Sequence, residues 1–106
     1  MKVALVKPPT VSLASIVNEV KNGPPIGLGY LCASLEAAGH ECRIVDGYGA
    51  GIDRIWDLRS GLYVRGLPAE EIAAAIPEDV ELIGVSAMFS TDWIYARCVV
   101  EAILEA

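Results

Sequence analysis

Residues 23–46 constrain this chain more than any other stretch: Gly23-Pro-Pro-Ile-Gly-Leu-Gly-Tyr-Leu31, then Leu35-Glu-Ala-Ala-Gly-His-Glu41, then Arg43-Ile-Val-Asp46. Two prolines precede a helix in which Leu28, Leu31, Cys32, Leu35 and Ala38 recur at helical spacing, and Gly39 stands where a helix stops. Cys42, Ile44 and Val45 then make residues 41–46 a strand that closes on an acidic side chain. A Gly/Pro loop, a helix and a buried strand in this order form part of a βαβ unit, whose ligands gather where the strands end. The pattern does not specify the ligand.

The strand before that loop is Val3-Ala-Leu-Val6, a continuous apolar run of the kind found in a central parallel strand, closed by Pro8-Pro9, which should prevent further pairing. Residues 10–23 form a connection in which Ser12, Ser15, Asn18 and Asn22 alternate with apolar residues. Residues 47–66 carry Gly47, Gly49, Gly51, Gly61 and Gly66 and read as a long insertion, a lid or docking loop. Its only expected element is a short helix at 52–58 with Ile52, Ile55, Trp56 and Arg59 on one face. Residues 67–76 form a helix with Pro68 at its start, Glu70 and Glu71 in the first turn, and Pro77 as its stop. Residues 82–89 are the third strand, after which Ser90, Thr91 or Asp92 caps a last helix bearing Trp93, Ile94, Cys98, Ile103 and Leu104.

The expected fold is α/β: a three-layer, parallel sheet with helices on both faces, Rossmann/flavodoxin-like, apparently truncated after the third βα unit. Right-handed crossovers in a flavodoxin-like layout order the strands 2-1-3, leaving the apolar third strand at an edge. Such an edge invites pairing, so residues 1–106 read as an incomplete single domain.

With 54% hydrophobic and 21% charged residues, the chain has enough apolar surface for a core and is not a disordered segment. Charged residues interrupt every apolar run before membrane-spanning length, and no secretory signal pattern follows Met1-Lys2, so a cytoplasmic chain is expected. A net charge of −6 with scattered basic residues argues against nucleic acid or an anionic membrane as partner. Cys32, Cys42 and Cys98 lack metal-ligand spacing and read as buried, reduced structural thiols.

Catalytic equipment is sparse. There is no dinucleotide or phosphate-binding glycine motif, and no Cys or Ser is paired with an available His. His40, the sole histidine, follows the first helix and belongs at the edge opposite the strand C-termini. The crevice is expected to be lined by Pro8, Pro9 and Thr10, by Asp46, Gly47 and Tyr48, and by residues 86–91, including Ser86, Met88, Phe89 and Ser90. Gly27 and Gly29 allow close approach of a ligand or of the sheet. Asp46 is equally suited to accept from a ligand or to cap a turn. Tyr48, Trp56 and Trp93 read as ligand contacts or as core and interface anchors.

The runs Pro24-Pro25-x-Gly-Leu-Gly-Tyr-Leu31, Leu35-Glu-Ala-Ala-Gly-His-Glu41, Val45-Asp46 and Ile83-Gly-Val-Ser-Ala-Met-Phe-Ser90 resemble the N-terminal cobalamin (B12)-binding domain of cobalamin-dependent radical S-adenosylmethionine enzymes. Arg65-Gly-Leu-Pro-Ala-Glu-Glu-Ile72 and Phe89-Ser-x-Asp-Trp93 resemble members of the branch near the anaerobic magnesium-protoporphyrin cyclase. The resemblance implies cobalamin bound base-off with no histidine ligand, because Lys7-Pro-Pro-Thr-Val-Ser12 lacks the Asp-x-His-x-x-Gly of the wider family. It aligns the family's Ser-x-Leu motif with Ser86-Ala87-Met88 and places the later Gly-Gly motif beyond Ala106. The [4Fe-4S] cluster and S-adenosylmethionine would belong to a barrel domain C-terminal to this chain. By this reading the chain is a binding module, not catalytic alone, whose parent is a methyltransferase or cyclase. The alternative is a flavodoxin-like structural or regulatory domain that binds no corrin and serves domain–domain packing.

Overall fold

A computed structural model describes residues 1–13, 25–59, 61–87 and 90–106. In chain order its elements are β1 (Lys2–Lys7), β2 (Thr10–Leu13), α1 (Ile26–Ala37), β3 (Glu41–Asp46), a 3-10 turn (Gly49–Gly51), β4 (Ile55–Arg59), β5 (Leu62–Arg65), α2 (Ala69–Ala75), β6 (Leu82–Val85) and α3 (Ser90–Glu105).

β1, β3 and β6 form a parallel sheet in the order β3-β1-β6, with Val3 opposite both Cys42 and Leu82, and Val6 opposite both Val45 and Val85. The central place of β1 follows from its sequence: Val3, Ala4, Leu5 and Val6 are all buried, as a strand flanked on both sides requires. Alternation puts Ala4, Val6, Val45, Ile83 and Val85 on one face of the sheet and Val3, Leu5, Cys42, Ile44 and Leu82 on the other. The first face joins Ile72 of α2 and Tyr95 and Val99 of α3 in the core. The second is served by α1, which has no buried residue, and Ile44 and Leu82 remain 38% and 53% exposed.

The three-layer Rossmann/flavodoxin-like architecture expected from the sequence is not formed. A second sheet, antiparallel and ordered β2-β5-β4, is built from segments read as a connection and a loop. Pro8 and Pro9 do not end strand pairing; both are buried and turn the chain out of the parallel sheet into β2. No helix forms at 52–58. Ile52, Ile55 and Trp56 match helical spacing by coincidence, whereas Trp56 stands opposite Val64 in a hairpin whose register shifts between Asp57 and Arg59, and Trp56, Leu58, Leu62 and Val64 all pack on the core. Gly61, at φ +83, lies between the two strands of that hairpin. The cross-strand row Val11–Val64–Trp56 then meets α3, where the Trp56 and Tyr95 rings pack edge to face with centroids 5.6 Å apart.

α1, β3 and α2 follow the expected segments, with Gly39 at φ +93 after α1 and Pro68 immediately before α2. The described part of the third strand is shorter than expected, ending at Val85, and Met88 and Phe89 lie outside the described residues. So do Ser15, Asn18 and Asn22 of the first connection. The cysteines are free but half-buried, not buried as expected: α1 and β3 are too thinly covered to enclose Cys32 and Cys42. No helix among the described residues is long and apolar enough to cross a membrane.

Candidate functional site at the strand C-termini

The ends of β1, β3 and β6 come together as parallel pairing demands. Lys7 stands opposite Asp46, and the Ser86 N–H donates to the Val6 carbonyl at 2.9 Å. The predicted residues divide there into an inner and an outer set.

The inner set is Pro8, Pro9, Gly47 and Tyr48, all buried. Gly47 donates to the Lys7 carbonyl at 2.8 Å and accepts from Leu67 N–H at 2.7 Å, stitching the end of β3 to β1 and to the segment entering α2. A Cβ at Gly47 would lie 2.6 Å from Ile72 Cδ1 and 2.7 Å from the Lys7 carbonyl oxygen. Gly66, at φ +138, would place a Cβ 2.5 Å from Pro9 Cβ, and Gly51 abuts the Gly66 backbone. The space that these glycines leave is therefore filled by the chain's own atoms, and close packing by itself requires glycine at these positions. Arg65, also buried, donates through Nη1 to the Ile52 carbonyl and ties the hairpin to the turn after β3.

The outer set is Thr10, Gly27, Asp46, Ser86 and Ser90, each half-exposed or exposed. Asp46 Oδ1 accepts the Gly49 N–H at 2.9 Å, so the turn-capping role is realised. Lys7, not anticipated as a site residue, places Nζ 5.5 Å from the centre of the Tyr48 ring. Its position as the last residue of β1 was the available signal. Gly27 lies in the first turn of α1, where a Cβ would meet nothing within 4 Å among the described residues, so packing on the sheet does not require glycine there, and the same is true of Gly29. Of the aromatic residues, Trp56 and Tyr48 are core-facing and Trp93 is 49% exposed.

His40 sits at the opposite edge, its Nδ1 3.1 Å from the Met1 amino group. Among the described residues no group of three or more His, Cys, Asp or Glu side chains could hold a metal ion. The ammonium of Lys7, the carboxylate of Asp46 and the hydroxyls of Ser86, Ser90 and Thr10 supply hydrogen-bonding groups to the outer set, and the inner set packs beneath them.

Two further residues hold the site's surroundings. The Tyr95 hydroxyl accepts the Ala69 N–H at 2.9 Å, satisfying a free donor at the start of α2, and burial pushes this phenol up from its ordinary value. Asp92, expected as a possible cap of α3, accepts instead from the Val11 N–H of β2 at 3.2 Å. Neither long-range bond has a local signature in the sequence.

The chain thus defines a small α/β protein in which a parallel and an antiparallel sheet share one core. Compared with known proteins, it matches no family model, no curated protein and no solved structure.

Proposed function

We propose that this chain is a cobalamin-binding module, working beside the iron–sulfur barrel of a radical S-adenosylmethionine enzyme in the cytoplasm. The observation that carries the reading is the meeting of Lys7, Asp46 and Ser86 at one edge of the β3-β1-β6 sheet, where α/β folds bind ligands. Asp46 and Ser86 hydrogen-bond the corrin amides, Lys7 offers a charge-assisted donor, and Tyr48 holds the floor beneath them. Bound cobalamin supplies a cobalt that carries a methyl group. The sole histidine, His40, lies at the opposite edge beside the Met1 amino group, which supports a corrin that would be held by the edge residues without a protein imidazole.

Titration with hydroxocobalamin, followed by visible absorption and calorimetry, tests the reading. Saturable binding with a base-off spectrum, weakened by Ser86→Ala, is expected. The cob(II)alamin complex should show no nitrogen hyperfine splitting from a protein imidazole. Absence of any heat or spectral change overturns the corrin reading and favours the packing domain that binds no ligand. That second reading draws on the apolar groove of about 410 Å³ between β6 and α3, lined by Leu82, Ile83, Val85, Val100, Ile103 and Leu104.

A further inference from the structure

Cys32 on α1 and Cys42 on β3 meet on the thinly covered face of the parallel sheet. Cys32 Sγ lies 3.6 Å from the Cys42 carbonyl oxygen and 3.9 Å from Glu36 Oε1, which brings the Cys32 thiol onto the Cys42 residue itself. Both are half-exposed, so a small oxidant can reach them. Cys98 is remote from the pair, on α3 and against the core on the other face.

We propose that Cys32 and Cys42 close into a reversible disulfide in the presence of a peroxide, clamping α1 to β3. The Cys32 thiolate attacks one peroxide oxygen, the O–O bond breaks, and hydroxide leaves as water with the proton that Cys32 gave up. Cys32 is then a sulfenic acid. The Cys42 sulfur attacks it, the S–O bond breaks, and the hydroxyl departs with the Cys42 proton as a second water. Two thiols lose two electrons and one peroxide is reduced to two waters. A dithiol reopens the bond by exchange and is itself oxidised to a disulfide.

Burial, with the adjacent Cys32 and Glu36, pushes the Cys42 thiol up to about 11, in keeping with a resolving role for Cys42 beneath α1. The clamp matters because α1 has no buried residue to anchor it. Closing the bond limits how far the helix can lift from the sheet. This inference does not depend on corrin binding.

The test treats the whole chain with hydrogen peroxide and maps it by mass spectrometry. Both cysteines fall in the tryptic peptide 22–43, which has no internal Lys or Arg. That peptide should become lighter by two hydrogens, and cleavage after Glu36 should leave its halves joined until a reductant is added. Cys98 should remain open to alkylation. Cys42→Ser should abolish the bond and leave a dimedone-reactive sulfenic acid at Cys32, whereas Cys32→Ser should leave little label on Cys42. The oxidised protein should also melt about 5 °C higher, and its α1 amides should exchange more slowly. An unchanged peptide mass, a bond to Cys98, or sulfinic acids at both positions would overturn the proposal.

Discussion

At the scale of single residues, glycines with similar sequence surroundings have opposite roles. Gly47 is pressed between Ile72 and the Lys7 carbonyl, whereas Gly29 faces open space on an exposed helix. Gly47→Ala should therefore destabilise the fold by about 2–3 kcal/mol, through overpacking against backbone that cannot move. Gly29→Ala should stabilise it by ~0.5–1 kcal/mol through helix propensity alone. Urea denaturation of the two variants compares them directly. The alkaline limit of stability is also set by individual side chains. Cys42 is raised from 9.0 to about 11, and Tyr95 is raised by burial. A group whose folded pKa is raised stabilises the native state below its unfolded pKa, and that stabilisation is lost as pH climbs through the folded value. Thermal midpoints should accordingly fall between about pH 9 and 11, and Cys42→Ala should flatten the early part of that fall. Lys2 and Asp79 shift in opposite directions through their mutual ion pair, with Lys2 raised and Asp79 lowered. Both are solvent-exposed, so neutralising either should change stability little.

Among the elements, the antiparallel hairpin and α1 differ most in how they are held. β4 and β5 contribute Trp56, Leu58, Leu62 and Val64 to the shared core, and Val64 is fully buried. Trp56→Ala removes both the apolar contact and the ring partner of Tyr95. A loss of about 3 kcal/mol in stability is expected, together with altered near-UV circular dichroism from Tyr95. α1, by contrast, exposes Ile26, Tyr30 and Leu31 by more than half and buries nothing fully. Its amides should exchange faster than those of β1 and α3, which hydrogen exchange read by mass spectrometry resolves. α1 and α2 were readable because prolines and glycines punctuate them. The hairpin was not, because five glycines in residues 47–66 look like loop, and the period-two signal of Trp56/Leu58 and Leu62/Val64 is too short to outweigh them.

For the molecule as a whole, the two sheets pack on α3 and share Tyr95 and Val99 as core residues, and among the described residues no further strand pairs with β3 or β6. β6 carries Leu82 at 53% exposure beside Leu104 at 79%, over the groove it forms with α3. Apolar surface of this kind binds environment-sensitive dyes without unfolding. The native protein should enhance anilinonaphthalene sulfonate fluorescence while retaining its near-UV dichroism, and Leu82→Lys should reduce the enhancement. An equal signal from the variant would place the dye elsewhere, for instance in the cavity of about 470 Å³ lined by Ile76, Pro77, Ile83 and Ile103.

The parallel unit was legible from the residues themselves. A continuous apolar run, helical spacing closed by glycine, and a strand ending in Asp46 each have a local physical cause, and together they determined β1, α1, β3 and their pairing order. Of the candidate edge, Asp46 ends β3 and Ser86 follows β6 as the strand pattern puts them, whereas Thr10 opens β2 in the second sheet. Contacts between residues distant in the chain decided the rest. Val11 finds Val64 only after the chain has turned at Pro8-Pro9, Gly47 is buried only because Ile72 and Leu67 arrive from later segments, and Cys32 meets Cys42 only when α1 lies on β3. Local patterning can specify which faces are apolar, but which apolar faces meet is settled by burial summed over the whole chain.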